Sequence, residues 1–177
     1  RTYTKVYDSQ GNLILSNEQT SEKILSEKTV NYINYCLDAA VASGTGVAAD
    51  IKGMDVCGKT GTTNSRNDRY FCGYTGYYTA AVWCGFEIPA EIQLVGDTRH
   101  PAARLFNKVM APLHEGKISV PLYDAEAMVP VTVCLDSGKL ATDACLSDVR
   151  GVDRTEKDVL VYPEDAPTET CDKHISV

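Results

Sequence analysis

The stretch GKTGTTNSRNDRYFCGYTGYYTAAVWCGF, residues 58–86, decides how this chain folds. It covers most of three runs that pattern as strands, at about 54–62, 69–75 and 78–86. Only Gly76-Tyr77 separates the second run from the third, a spacing typical of a tight hairpin between antiparallel strands. The sequence therefore predicts an antiparallel three-stranded sheet at the centre of the fold.

The segments around this sheet predict a small hairpin and two helices. Residues 2–16 have strand-like ends around turn residues, which predicts the hairpin. A helix is expected to follow with Ser26 as its cap and to end at Gly44, a residue suited to the left-handed C-terminal position. A second helix is expected over about 101–115, and Pro112 should kink it or end it early.

The last third of the chain differs in character. It is punctuated by prolines, and only Val129 to Leu135 has the pattern of a strand. We expect an α+β fold in which residues 1–119 form an antiparallel sheet packed by helices. Residues 120–177 are expected to be a linker and a small, loop-rich, cysteine-containing extension.

Composition excludes several classes of protein. The chain is 44% hydrophobic and 23% charged, which is typical of globular domains, and no apolar run approaches the roughly 20 residues that cross a bilayer. A formal net charge of −7 disfavours nucleic-acid binding. The N-terminus lacks the apolar core of a signal peptide, so any membrane attachment is expected to come from a segment upstream.

Two motifs compete for the segment from Gly53 to Thr60. The letters match G-x-x-x-x-G-K-[ST], the phosphate-binding loop of nucleotide hydrolases, which requires a helix to begin at Lys59. The residues after Lys59 are rich in Gly, Thr and Asn, which start helices poorly, and those before it pattern as a strand. The nucleotide-hydrolase interpretation is therefore the lesser alternative.

The other motif is Lys59-Thr60-Gly61-Thr62, the K-T-G box of penicillin-binding serine acyltransferases. On an edge strand, Lys59 would supply a fixed positive charge, and the Thr60 and Thr62 hydroxyls would share one face. Gly61 would let a substrate backbone lie against the strand. Lys59, Thr60, Gly61 and Thr62 are thus predicted to bind a carboxylate, and the Thr62 N–H to stabilise an oxyanion.

The order and spacing of these segments resemble the C-terminal part of the transpeptidase domain of class A penicillin-binding proteins. The likeness runs through Gly44-Thr45-Gly46, 58–64, 68–75 and 82–86, and continues into the tail at 133–138 and at Pro167, Cys171 and His174. It implies D,D-transpeptidation of peptidoglycan stem peptides by a serine acyl-enzyme, which β-lactams would acylate. It also implies an extracytoplasmic location in a bacterial cell envelope.

The catalytic boxes that such a mechanism needs are not in this sequence. No S-x-x-K occurs, and we interpret Ser65-Arg66-Asn67 as a coincidental S-x-N because it follows the K-T-G box. We expect the chain to be the C-terminal piece of a longer enzyme and inactive without the N-terminal part of its transpeptidase domain. One sheet face should then expose an unusually large apolar patch, because the helices that normally cover it would be absent or partial. The alternative is a non-catalytic binding module of the same fold.

Cysteines and histidines suggest a further possibility in the tail. Cys36, Cys57, Cys72 and Cys84 lie in apolar segments and are expected to be buried thiols, and His100 and His114 to be ordinary surface or core histidines. Cys134, Cys145, Cys171 and His174 could form a zinc set, but an envelope location favours a disulfide. We therefore expect no metal and no cofactor.

Overall fold

The computed structural model describes residues 2–147 and 150–174 and has the expected mixture of antiparallel sheets and helices. In the described part of the chain, three helices and two single 3-10 turns alternate with seven strands. The strands are β1 (Lys5–Tyr7), β2 (Leu13–Ser16), β3 (Cys57–Thr62), β4 (Arg69–Tyr74), β5 (Thr79–Cys84), β6 (Val129–Cys134) and β7 (Thr155–Val161); the helices are α1 (Glu27–Ala42), α2 (Pro101–Leu113) and α3 (Asp143–Leu146).

The central sheet has the order β3-β4-β5, with both neighbouring pairs antiparallel. The Thr75 N–H donates to the Tyr78 carbonyl at 2.9 Å and closes the predicted two-residue hairpin between β4 and β5. Strands β1 and β2 form the predicted N-terminal hairpin. The α+β prediction is therefore confirmed.

Helix α1 begins where the sequence predicts. Ser26 has an extended backbone, and its hydroxyl accepts a hydrogen bond from the Thr29 N–H at 3.1 Å, which satisfies one of the free donors of the first turn. The C-terminal end differs from the prediction, because Gly44 does not have a positive φ. A Cβ at Gly44 would lie 2.9 Å from the Ala40 carbonyl oxygen, so close backbone approach explains this glycine.

One apolar core lies between the central sheet and α2. Phe71 from β4 and Phe106 from α2 are fully buried and meet edge to face, with ring centroids 4.8 Å apart. Helix α2 ends one residue after Pro112, as expected of a proline that removes a backbone donor. The remaining buried members of this core are Val41, Ala49, Ile51, Met54, Val56, Ala102, Ala103 and Met110.

The tail contains more regular structure than the sequence indicates. Strand β7 was not predicted, yet it pairs with β6 in a two-stranded antiparallel sheet. Three consecutive residues near its start, Glu156-Lys157-Asp158, are charged, so neither composition nor alternation of apolar residues predicts a strand there. Asp158 also has a φ of 56°, which interrupts the regular strand backbone. The register shift between Val131 and Val133 accommodates this irregularity.

The tail docks on α1 through polar contacts. Lys28 forms ion pairs with Glu164 and Asp165, and the Tyr32 hydroxyl donates to Asp165 at 2.8 Å. The Tyr162 ring packs edge to face on Tyr32. These contacts hold the tail against the helix that precedes the central sheet.

The predictions for cysteine burial are only partly correct. Cys57 is buried and Cys84 is half-buried, but Cys36 and Cys72 are exposed. Cys72 pairs with Lys59 across β3 and β4, on the sheet face opposite Phe71. Because side chains alternate between the two faces along β4, Cys72 points to the surface although its neighbours in the sequence are apolar. None of the helices in the described residues is long and apolar enough to span a bilayer.

Candidate functional site

The Lys59-Thr60-Gly61-Thr62 segment lies in the second half of β3, which pairs only with β4 among the described strands. The expectation of an extended edge strand at Lys59 is therefore confirmed. The phosphate-loop alternative is wrong, because Lys59 lies in the middle of a strand and no helix begins there.

The hydrogen-bond pattern shows which backbone groups of β3 face the open edge. The Thr63 N–H donates to the Asp68 carbonyl at 3.2 Å, which makes these residues a hydrogen-bonded pair. Because such pairs alternate along an antiparallel ladder, Gly61 and Lys59 bond to β4, whereas the backbone groups of Thr60 and Thr62 face away from it. The Thr62 N–H is thus directed to the free edge.

The side chains of this segment lie on both faces of the sheet, but the Lys59 ammonium and the Thr60 hydroxyl come together at its open edge. Thr60 and Thr62 lie opposite Phe71 and Arg69, so they share the core-side face, whereas Lys59 lies opposite the exposed Cys72. The Lys59 chain folds around the edge, and its Nζ donates to the Thr60 carbonyl at 3.1 Å and lies 3.4 Å from the Thr60 hydroxyl.

Thr45 is a member of this cluster that the motif did not identify. Its hydroxyl lies 2.7 Å from that of Thr60, and either can be the donor. Thr45 occupies the Gly44-Thr45-Gly46 loop after α1, and the Gly46 N–H bonds to the Ala40 carbonyl, which anchors the loop to the helix end. The position of Thr45 between two glycines is the feature of the sequence that could have identified it as a member of the site.

Arg69 adds a second cation beside the segment. Its Nη1 donates to the Thr62 hydroxyl at 3.2 Å, so that oxygen acts as an acceptor and its own proton is available to another group. Next to Arg69, Asp68 accepts a hydrogen bond from the Trp83 indole at 2.9 Å. The Asp68 carboxylate is thereby tied to β5.

His100 lies close to the strand from the start of α2. Both of its ring nitrogens are buried without a hydrogen-bond partner among the described residues. Burial lowers the pKa of His100; the charges of Arg69 and Lys59 act in the same direction, and a contact with the Gly61 backbone opposes them. The neutral imidazole is therefore favoured. His114, by contrast, is a satisfied core histidine, within 2.8 Å of the Thr75 hydroxyl.

Glycines let β3 lie flat against the core. Gly58 and Gly73 are directly paired, and a Cβ on Gly58 would lie 2.4 Å from the Cζ of Phe71. The Phe71 ring therefore covers the glycine pair just before Lys59. On the opposite face, Tyr70 and Trp83 are paired and remain 43% and 51% exposed.

A second cluster of reactive groups lies in the tail. Its three cysteines, Cys134, Cys145 and Cys171, are free thiols, so the expected disulfide is not formed. The ligand atoms of Cys134, Cys145, Cys171 and His174 all lie within 4.8 Å of one another. Hydrogen bonding, first from the Ser137 side chain, lowers the pKa of Cys171 to about 6. These four residues are the group in the described part of the chain that could hold a metal ion.

Comparison with known proteins gives consistent results over the whole chain. Residues 126–176 match the family model described as penicillin-binding protein 1A, C-terminal domain. The chain is 34% identical to penicillin-binding protein 1A of Clostridium perfringens, over 100% of this chain and 21% of that protein. It is also 34% identical to penicillin-binding protein 1A of Clostridium botulinum, over 99% of this chain and 21% of the relative.

The fold comparison agrees with the sequence comparison. The crystal structure of penicillin-binding protein 1A from Haemophilus influenzae superposes with a TM-score of 0.54 at 19% identity, covering 95% of this chain and 29% of that one. This likeness concerns the fold. The chain spans about a fifth of the length of the curated relatives it matches.

Proposed function

The chain corresponds along its length to the C-terminal part of class A penicillin-binding proteins, and on this premise we propose that it supplies the carboxylate-binding wall of a serine D,D-transpeptidase. The parent enzyme would crosslink peptidoglycan stem peptides outside the cytoplasm, in the cell envelope. β-Lactams would bind at the same place as the stem peptide. The nucleophile would come from the part of the transpeptidase domain that precedes this chain.

One observation carries the proposal: a lysine ammonium and threonine hydroxyls converge at the open edge of β3. The Lys59 ammonium lies beside the Thr60 hydroxyl, and Thr45 joins them at hydrogen-bond distance. An ammonium flanked by hydroxyl donors is suited to a carboxylate, because charge-assisted hydrogen bonds are about twice as strong as neutral ones. We assign Lys59 and Thr60 to the terminal carboxylate of the substrate.

Thr62 would act with both its side chain and its backbone. Its hydroxyl oxygen already accepts from Arg69, so its proton can be donated to the same carboxylate. Its N–H faces the free edge of the strand, where it would donate to the oxyanion that forms when the serine attacks the substrate carbonyl. Gly61, between the two threonines, leaves room for a substrate backbone alongside β3.

The first test replaces Lys59 in the parent protein and follows acylation by a fluorescent penicillin. We expect Lys59→Ala to slow acylation by about ten- to a hundredfold, since hydrogen bonds to charged groups contribute about 1.5–3 kcal/mol. Lys52→Ala, which removes an exposed lysine outside the strand, is the matched control and should leave the rate unchanged. Equal rates for Lys59→Ala and the control would refute the assignment.

The second test separates the Thr62 N–H from the Thr62 hydroxyl. Thr62→Pro removes the N–H without breaking a ladder bond, because that group faces the free edge, and proline is tolerated on edge strands. Thr62→Ala removes only the hydroxyl. If the N–H is an oxyanion donor, Thr62→Pro should lower the acylation rate by about a hundred- to a thousandfold. Circular dichroism would check that the variant folds, and equal rates for both variants would contradict the role.

The 177-residue chain itself provides a third test. We expect no covalent labelling of this chain by the fluorescent penicillin, because it contains no S-x-x-K sequence. Labelling of the chain alone would overturn the proposal. A parent protein without a serine nucleophile upstream would favour the non-catalytic binding module.

A further inference from the structure

We propose that Cys134, Cys145, Cys171 and His174 form a structural zinc site that holds the tail together. The ligands come from three separate segments. Cys134 ends β6, Cys145 lies in α3, and Cys171 and His174 lie near the end of the chain. A single ion bound by all four would tie these segments to one point.

The distances fit a tetrahedral zinc ion. The Nδ1 atom of His174 lies 3.5 Å from the Sγ of Cys134 and 3.5 Å from the Sγ of Cys171. With Zn–S and Zn–N bonds of about 2.3 and 2.0–2.1 Å, the sulfur-to-nitrogen edge of a regular tetrahedron is about 3.5–3.6 Å. Three sulfurs and one imidazole nitrogen are a common ligand set of structural zinc sites.

The imidazole is oriented for metal binding. The Nε2 atom of His174 lies 3.0 Å from the Oδ2 of Asp136. Arg150 also approaches Nε2, at 3.4 Å, but the closer carboxylate can only accept, so Nε2 carries the proton and Nδ1 presents its lone pair to the three thiols. A histidine held by a carboxylate through its second nitrogen is a frequent arrangement at zinc sites.

Each of the three sulfurs accepts a contact from a backbone N–H. Backbone N–H groups lie 3.4 Å from each sulfur: that of Asp136 from Cys134, that of Thr142 from Cys145, and that of Lys173 from Cys171. On metal binding each thiol would release its proton to solvent, and three thiolates with Zn²⁺ carry a net charge of −1. Arg150 and Arg154, both paired with Asp136, lie next to this charge.

The tail has little other means of forming a core. Within the described part of 126–176, the buried apolar residues are Met128, Cys134, Ala144, Cys145 and Cys171, so Met128 is the one large side chain among them. Segments of this size rarely bury enough apolar surface to be stable without a metal or disulfides. The cysteine cluster occupies the position that a hydrophobic core would otherwise fill. Four protein ligands leave no open position, which indicates a structural role.

The proposal can be tested on the 177-residue chain without any activity assay. The chain would be purified under reducing conditions with added zinc and dialysed exhaustively. Bound zinc would be measured by mass spectrometry of the metal, and thiols counted in denaturant with a chelator. We expect one zinc ion per chain and seven titratable thiols. A chain that retains no zinc, or one in which a disulfide has removed two of those thiols, would overturn the proposal.

Substituted chains identify the ligands. Cys145→Ser should lose the ion, whereas Cys72→Ser, which changes an exposed cysteine on the sheet, should retain it. His174→Cys keeps a fourth ligand and should still bind zinc, while His174→Gln should not. Asp136→Asn should weaken binding by about ten- to a hundredfold through its effect on the imidazole. Retention of one tightly bound zinc by Cys145→Ser would refute the assignment.

Cobalt provides a spectroscopic check that does not depend on variant stability. We expect Co²⁺ added to the metal-free chain to produce thiolate charge-transfer absorption and the intense visible bands of tetrahedral cobalt. Zinc should displace it. A weak octahedral spectrum would show that the four residues do not bind the ion together.

Discussion

The contact between Gly58 and Phe71 allows a quantitative test of how the K-T-G strand is held in place. A Cβ on Gly58 would lie 2.4 Å from the Phe71 Cζ and 3.0 Å from the Cys72 carbonyl oxygen. Such overpacking typically costs about 1–3 kcal/mol. Gly58 has no positive φ, so alanine would also gain about 0.4–1 kcal/mol by restricting the unfolded chain. We expect Gly58→Ala to lower the free energy of unfolding by about 1–2 kcal/mol.

The partner substitution removes the atom that causes the clash. Phe71→Leu lacks the Cζ and breaks the edge-to-face contact with Phe106, which should cost about 1–2 kcal/mol by itself. In the double variant the methyl group added by Gly58→Ala no longer meets the ring, so the larger part of the cost of that substitution should vanish, while the approach to the Cys72 carbonyl oxygen remains. The double variant should therefore be about 1–2 kcal/mol more stable than the sum of the single changes predicts.

Urea denaturation of the wild type, the two single variants and the double variant would measure this coupling, with linear extrapolation of the unfolding free energy. Gly61→Ala is the matched control on the same strand, because Gly61 lies on the opposite face against Tyr70. Its effect should be additive with that of Phe71→Leu. The reasoning is refuted if Gly58→Ala and Phe71→Leu are themselves additive within about 0.5 kcal/mol.

Two further predictions concern the first helix and the buried histidine. Ser26→Ala should lower the free energy of unfolding by about 1 kcal/mol, because it removes the hydroxyl that accepts from the Thr29 N–H; Ser21→Ala, an exposed change before the helix, should have no effect in the same urea assay. His100 has its pKa lowered below 6.5 in the folded state, so acidification protonates the unfolded chain first, and stability should fall as the pH drops below 6.5. His100→Gln should lose less stability than the wild type as the pH falls from about 7 to about 5.5, and parallel pH profiles would contradict the burial of a neutral imidazole.

The central part of the fold could be predicted from local patterns. The hairpin through Gly76-Tyr77, the cap at Ser26 and the helix end near Pro112 each depend on residues close together in the chain. Strand β7 could not be predicted, because it is stabilised by pairing with β6 and not by its own charged sequence. The same limit applies to Cys72, whose exposure depends on which face of β4 meets α2.

The candidate site was likewise predictable from the sequence only in part. The letters Lys59-Thr60-Gly61-Thr62 identify the segment, and the turn and strand pattern around them predicts an extended edge strand. Three features depend on how the strands and loops assemble and could not be predicted from the letters. The Thr62 N–H faces the open edge of the strand, and the Lys59 ammonium lies beside Thr60 at that edge. Thr45 and Arg69 contact the two threonine hydroxyls from other segments of the chain. The roles of these groups remain predictions for the experiments described above.

By itself the sequence determined the order of the central elements, from the N-terminal hairpin to the second helix, and located the K-T-G segment on an extended strand, because caps, turns and alternation act over a few residues. It left open whether the tail cysteines would be crosslinked or would bind a metal, since residues up to 40 positions apart had to meet before either could occur. Only the tertiary structure shows that these residues converge, and the metal that we propose for them awaits the zinc measurements described above. Folding placed Cys134, Cys145, Cys171 and His174 around one point and oriented the imidazole through Asp136, an arrangement that no local pattern encodes.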